Sequence, residues 1–255
     1  MLICNFDGIS KMSNRYKLTF EYDGTNFNGW QKQPEGRTVQ GVIEQALSTF
    51  YQDDINIVGQ GRTDAGVHAM AQVAHTNLPD LYSISRLHRA LSGLLPKDVA
   101  LIDAKMVADD FHARFHAKSR EYQYLVIERP SPLLRNFALH SFKPISFELL
   151  EECAEEITGE HDFINFCIPP AEKGMTTTST IKRSRWEKRE YKLIYEIEGN
   201  RFLRHLVRRL VGTMIRISDG TLPIEKFRDL LSGAKTDQKG HAAPAKGLIL
   251  TKVNY

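Results

Sequence analysis

The sequence predicts an α/β chain of the α+β type in which one element order, β-α-β-β-α-β, occurs twice. Three observations predict it. Short runs with apolar alternation are separated by longer stripes at helical spacing. Runs and stripes come in the same order in each half. A chain of 255 residues with 42% hydrophobic and 25% charged residues is globular in composition, which excludes disorder and fibrous repeats.

Tyr16–Tyr22 alternates and ends at Asp23-Gly24, a turn pair, so it reads as the first strand. Val39, Val42, Ile43, Ala46, Leu47 and Phe50 recur at helical spacing behind Thr38, whose hydroxyl suits an N-cap. Ile55–Gly59 and Ala71–Thr76 read as short strands. Ile84, Leu87, Leu91 and Leu94 mark a second helix, stopped by Pro96, and Val99–Val107 closes the half as a strand. The second half opens with the strand Arg120–Glu128. Ser146 caps a helix with Leu150, Cys153, Ala154 and Ile157 on one face. Two strands follow within Thr180–Gly199, then a helix from Phe202 to Ile217 and a last strand, Leu248–Val253. A further helix, Ile224–Ser232, is inserted before that strand. The doubled order suggests a ferredoxin-like or RRM-like duplication, inferred from pattern because the halves share no repeat at residue level. The expected organisation is an extension over 1–15, an N-terminal half over 16–115 and a C-terminal half over 116–255. Ile168–Thr180, rich in Pro, Gly and Thr, reads as a long loop that could lie over a site.

Composition narrows the function classes. Lys+Arg 34 against Asp+Glu 31 gives a net charge of +3, so what matters is where the basic residues sit. No apolar stretch approaches the ~20 residues that cross a bilayer, and no membrane partner is expected. Cys4, Cys153 and Cys167 form no C-x-x-C pair and no disulfide framework, which fits a reducing cytoplasm. The first ten residues lack a basic region and a long apolar core, so no secretory leader is expected.

Gly59–Ala69 (GQGRTDAGVHA) is the densest segment. It follows a strand but departs from G-x-G-x-x-G, because Asp64 stands where the third glycine belongs. A carboxylate there would repel a pyrophosphate, so a dinucleotide site is rejected. No P-loop occurs elsewhere, and no nucleotide cofactor is expected. The loop offers one carboxylate, Asp64, with Arg62 two residues away and glycines on both sides. The competing reading is an Asx-turn in a plain connection.

The helix from Phe202 carries an apolar stripe of Leu203, Leu206, Val207, Leu210, Val211 and Met214. Arg201, Arg204, His205, Arg208, Arg209 and Arg216 project from its other side, and no acid occurs between Gly199 and Ser218. Such a face is either solvated or binds phosphates or carboxylates. Gly212 lies among these arginines, where another backbone could approach. Lys182, Arg183, Arg185, Lys188 and Arg189 form a second basic run, partly offset by Glu187 and Glu190. Tyr122 and Tyr124 alternate on one strand, either as core residues or as a stacking ring in a base pocket. His112 and His116 have a metal-like spacing, but without H-E-x-x-H or a nearby cysteine no metal is expected.

Gly61–Ala69 resembles the signature loop of the tRNA pseudouridine synthase A family. Glu21–Gln31, the Thr38–Leu47 helix, Asp109–Phe115, the R-x-Y-x-Y of Arg120–Tyr124, Phe202–Gly212 and Gly247–Leu250 are similar to its other motifs, in order. Leu206 stands where the family usually has Met. The resemblance implies two halves joined into one continuous, mostly antiparallel sheet with a central catalytic cleft. It implies isomerisation of uridine to pseudouridine in the anticodon stem-loop of tRNA, at tRNA positions 38–40. Asp64 would be the catalytic carboxylate, Arg208 its partner, Arg62 a wedge into the RNA and Tyr122 a ring on the target uracil. Arg204, His205 and Arg209 would contact RNA. A homodimer acting on one tRNA is implied. No redox change, phosphate energy or water enters the reaction, so no cofactor is expected.

Two rival readings are a non-catalytic RNA-binding module and a nucleoside glycosidase. The second would require another acid near Asp64, from Asp103, Asp109 or Asp110. For the metal reading, the expected outcome is that a chelator leaves the melting temperature unchanged. Stoichiometric zinc in purified protein would overturn it.

Overall fold

A computed structural model describes residues 13–169, 174 and 176–255. The expected extension therefore lies outside the described residues, except for Ser13, Asn14 and Arg15. Those three belong to the first strand, β1 (Ser13–Tyr22), which starts earlier than the sequence pattern suggests. The ladder explains the difference: Ser13, Asn14 and Arg15 pair with Pro79, Leu78 and Asn77, and Arg15 Nε donates to Asn77 Oδ1 at 2.6 Å. Residues 170–173 and 175 of the expected long loop also lie outside the described residues.

The N-terminal half continues with α1 (Val39–Tyr51), β2 (Val58–Gly59), β3 (His68–Pro79), α2 (Ile84–Leu94) and β4 (Val99–Met106). The Thr38 side chain accepts from Gly41 N, as an N-cap must. β2 is only two residues long, against the five expected. The backbone before it is satisfied by side chains instead of a strand. Ile57 N donates to Glu44 Oε1 and Ile57 O accepts from Gln40, both on α1, while Asn56 O accepts from Thr76. Ile55 and Ile57 are nonetheless buried, which is why their apolar run imitates a strand.

The C-terminal half contains β5 (Ser119–Ile127), β6 (Leu139–His140), α3 (Phe147–Glu156), β7 (Gly159–Asp162), β8 (Thr178–Arg189), β9 (Lys192–Gly199), α4 (Leu206–Ser218), α5 (Glu225–Leu231) and β10 (Leu248–Asn254). Ser146 caps α3 through Leu149 N. The short strands β6 and β7 have no apolar alternation that would have announced them.

All ten strands form one sheet, in the order β4-β1-β3-β10-β5-β9-β8-β7, with β2 beside β3 and β6 beside β5. Within each half the order is that of a ferredoxin-like unit, β4-β1-β3-β2 and β10-β5-β9-β8. The sheet is antiparallel except where β10 meets β3 and β6 meets β5. The halves join at β3 and β10, which run parallel with Ile249 opposite His68 and Leu250 opposite Ala69.

The apolar residues of the strands face the helices. Leu18, Phe20, Val73, Ile43, Leu47 and Leu87 lie in one cluster, and Tyr124, Tyr195, Ile197, Leu150 and Leu210 in another. Leu248 belongs to the second cluster and Leu250 to the first, so β10 is shared by both cores. The opposite face of the C-terminal half is charged and neutralised across strands. Arg183 meets Glu121 at 2.9 Å and Arg185 meets Glu196 at 2.6 Å, while Lys188, in register with buried Leu193 on the core side, meets Glu128 at 3.3 Å at the end of the sheet. The second basic run is thus a paired ladder.

His75 is buried beside His112 and Arg15, and its Nδ1 accepts from Ala113 N at 3.1 Å. Burial first, then the neighbouring His112 and Arg15 charges, lowers its pKa to about 4 from the usual 6.5. The unfolded chain therefore takes up a proton below pH 6.5 that the folded chain refuses until about pH 4. Stability is expected to fall as pH drops through that window. His75→Gln, which keeps an acceptor but cannot titrate, should flatten that part of the profile in thermal unfolding. Superimposable wild-type and variant slopes would contradict this.

Candidate active site

Asp64 sits in the loop between β2 and β3, held from below by the first turns of the chain. Trp30 N donates to Thr63 O at 3.1 Å, and the Thr63 hydroxyl shares a 2.8 Å hydrogen bond with the buried Tyr22 hydroxyl. Gly29 has φ +89°, and a side chain there would put its Cβ 2.7 Å from Thr63 O. Only glycine lets the two loops touch. Val67 N closes a turn onto Asp64 O at 3.1 Å. Beneath the loop, Gln60 Nε2 donates to Gln72 Oε1 at 3.0 Å and Gln72 Nε2 donates to Gly61 O at 3.0 Å. Arg120 Nε donates to Gln60 Oε1 at 2.9 Å, joining the loop to β5. These buried amides leave the backbone around Asp64 little freedom.

Arg208 arrives from the other half. The expected helix starts four residues late: α4 begins at Leu206, and His205 before it has φ 66°. Arg201 and Arg204 therefore lie in the turn ahead of the helix. The apolar stripe is buried as expected, from Leu203 to Met214. Gly212 does receive a backbone, the chain's own: a Cβ there would fall 2.1 Å from His241 O and 2.6 Å from Ala243 N. That approach sets Ala243 against Arg208. Arg208 Nε donates to Ala243 O at 2.9 Å, and Ala243 N donates to Arg208 O at 2.8 Å.

The Arg208 guanidinium so fixed places Nη1 3.1 Å from Asp64 Oδ2. His205 Nε2 lies 3.4 Å from the same oxygen. Both side chains and the carboxylate are about one-fifth exposed, at 18%, 24% and 23% respectively. Burial lowers the His205 pKa, Asp64 opposes that, and Arg208, Arg204 and Arg209 reinforce it, so the ring is neutral at pH 7. Among the described residues nothing hydrogen-bonds Asp64 Oδ1. The carboxylate is anchored by one oxygen and open at the other.

Tyr122 lies on β5 between Leu250 of β10 and Ile197 of β9. The β5–β10 ladder slips beside it, leaving Thr251 unpaired, a bulge of the kind that re-aims side chains at functional sites. Its ring stands edge-on to Phe202, with centroids 5.2 Å apart. Burial pushes the phenol up to about 12, Arg120 opposes the rise and Asp64 adds to it. Tyr124 is fully buried and donates to Pro244 O at 2.8 Å, so it is a core residue.

The other expected residues divide. Arg62 is exposed, with Nε on Gln31 Oε1 at 3.1 Å. Arg204 is exposed at the turn before α4. Arg209 Nη1 holds Cys167 O at 3.0 Å. His112 and His116 flank a turn in an irregular segment, not a helix, and among the described residues no group of three or more His, Cys, Asp or Glu could hold a metal. The candidate second acids are elsewhere: Asp103 pairs with Lys105 on edge strand β4, and Asp109 and Asp110 are exposed in the segment after it.

The pattern defining a family described as tRNA pseudouridine synthase matches residues 18–116 and 153–255, with Asp64 in the first stretch and Arg208 in the second. The chain belongs to the tRNA pseudouridine synthase family. The tRNA pseudouridine synthase A of Chlorobium phaeovibrioides is 38% identical over 240 residues, covering 94% of this chain and 98% of the relative. That of Limosilactobacillus fermentum is 39% identical over 253 residues, covering 95% and 96%. That of Streptococcus agalactiae is 37% identical over 245 residues, covering 94% and 95%.

Sequence reasoning missed the members of this synthase-family site that act through others. Gln60, Gln72, Arg120 and Ala243 were not singled out for it. Gln72 alone carried a signal, as a polar residue at an inward position of the run Ala71–Thr76. Gly212 is a sensitive support. Gly212→Ala should lose at least about 2 kcal/mol of stability by overpacking, measured in urea unfolding. A neutral Gly212→Ala would show that the 241–243 segment yields without cost.

Proposed function

We propose that this chain isomerises uridine to pseudouridine in the anticodon stem-loop of tRNA, with Asp64 as its catalytic carboxylate. The observation that carries the reading is the Asp64–Arg208 contact across the junction of the halves, in a chain of this family. Both this contact and that of His205 fall on Oδ2, and among the described residues Oδ1 has no hydrogen-bond partner.

The chemistry needs little else. The N1–C1′ bond of uridine breaks, a C5–C1′ bond forms, the C5 proton is lost to solvent and N1 takes one up, so that product and substrate are isomers. The base is retained, so no second acid has to place a water, unlike a hydrolytic glycosidase. Oδ1 serves this either by attacking the sugar at C1′ or by acting as a base on the sugar. Arg208 lends the carboxylate a fixed positive partner and sets its orientation. The target base must leave its stack to reach Asp64. The Tyr122 ring offers it a stacking face, and the exposed Arg62, held through Nε by Gln31, fills the space left in the RNA. The Tyr122 hydroxyl stays protonated at neutral pH, which makes it a donor to the base and a poor acceptor of the C5 proton. Arg204 takes a phosphate, with His205 and Arg209 behind it. We place the 16–115 and 116–255 halves on either side of this cleft, in a cytoplasmic homodimer.

A purely RNA-binding module is disfavoured by Asp64 itself, since a carboxylate in a phosphate-lined cleft weakens binding. Asp64→Asn keeps size and removes charge. Pseudouridine formation in tRNA should fall at least ~10³-fold, about 4 kcal/mol of barrier, while tRNA affinity is kept or raised. Near-normal turnover by that variant would remove Asp64 from the mechanism.

A further inference from the structure

The segment between β4 and β5 holds a surface that the site above does not use. Phe115 is 72% exposed, and its ring lies against His112, with centroids 4.3 Å apart and planes 34° from parallel. The Arg114 guanidinium stands 5.6 Å from the Phe115 ring centroid. Among the described residues no carboxylate pairs with Arg114. The backbone that carries this group is held by side-chain hydrogen bonds. His112 Nδ1 accepts from Arg114 N at 3.2 Å, and His116 Nδ1 faces His112 N at 3.4 Å. Behind His112 stands His75, ring to ring at 4.6 Å.

The segment is also tied to the root of the Asp64 loop. Arg120 Nη2 donates to Arg114 O at 3.0 Å while its Nε donates to Gln60 Oε1 at 2.9 Å. The same guanidinium reaches Ala117 O and Asn200 O through Nη1. All four acceptors are neutral, so the guanidinium serves as a geometric fork among three segments. Gln60 is four residues before Asp64.

We infer that Phe115, backed by His112 and flanked by Arg114, is a stacking platform for an unpaired nucleotide of the RNA substrate, next to the one that enters the Asp64 site. This rests on the RNA-modifying reading above. What marks this ring is the combination: an exposed aromatic face backed by a second ring and flanked by a guanidinium, which a base and its phosphate can cover together. The uncompensated guanidinium beside it suits the phosphate of the same nucleotide. Burial, then His116, Arg15 and Arg114, lowers the His112 pKa, so that ring supports Phe115 as a neutral aromatic. Flipping one base leaves its neighbour without a stacking partner, and this platform supplies one.

The test uses full-length tRNA transcript with the whole protein. Phe115→Ala should weaken tRNA binding about tenfold, raise KM by a similar factor and leave kcat at saturating tRNA unchanged. Its melting temperature should not move, because the ring is exposed. Phe115→Tyr should restore affinity. The slope of log affinity against log salt should be unchanged in Phe115→Ala and reduced by about one in Arg114→Ala, separating base from phosphate contact. Phe142, 91% exposed beside His140 but without an arginine over its ring, is the control, and Phe142→Ala should bind normally. Unchanged affinity in Phe115→Ala overturns the inference. So does dissociation of a dimer in sedimentation of that variant, which would make a second copy of the chain the occupant. If the wild type forms no pseudouridine yet Phe115→Ala still loses RNA affinity, the platform stands and the enzymatic reading falls.

Discussion

The structure depends on one insertion: β10 lies between β3 of one half and β5 of the other. The join to β3 is parallel and registers at only two residue pairs, Ile249–His68 and Leu250–Ala69. It nonetheless makes one sheet of two, because Leu248 and Leu250, on the same side of the strand, bury into different cores. Asp64 belongs to the loop just before β3, and Arg208 to the helix just before β10. Two strands running in the same direction bring the ends of their preceding segments to one place. The contact at 3.1 Å between residues 144 apart in sequence follows from that geometry.

The site is thereby held from two independent directions. The Asp64 loop is braced from below by Thr63, Gln60 and Gln72, all buried in the N-terminal half. Arg208 is braced by Ala243, whose position depends on Gly212 and on Tyr124 gripping Pro244. Neither half supplies both charges. An arginine fixed through its Nε has few orientations left for its Nη atoms, so the carboxylate meets a partner already in place.

Local chemistry was the legible part of this sequence. Thr38 and Ser146 announced their helices because a cap needs only its own three neighbours. The stripe from Leu203 to Met214 announced its burial because helical spacing is periodic. What depended on distant partners was not legible. Ile55 and Ile57 read as strand because burial, and not pairing, makes them apolar. The run Lys182–Arg189 read as only partly offset because its other counter-charges lie elsewhere in the chain, Glu121 and Glu196 on neighbouring strands and Glu128 just past the end of β5. The start of α4 was misplaced by four residues because His205 turns left-handed to reach Asp64, a tertiary demand that propensity does not contain. The meeting of Asp64 with Arg208 came from family resemblance, since no spacing rule spans such a separation.

The place of β10 in the chain also sets an order on synthesis. Every other described element emerges from the ribosome before it does, and domains begin to fold as they emerge. Through that interval the stretch of β3 at His68 and Ala69 keeps an unpaired edge, and β5 lacks one of its neighbours. An unpaired edge is a template for wrong partners, including another nascent chain. The covering strand therefore acts as a late-arriving clasp. Until it is made, the arginine has no fixed seat opposite the carboxylate, and an unfinished chain holds the parts of the site without the site.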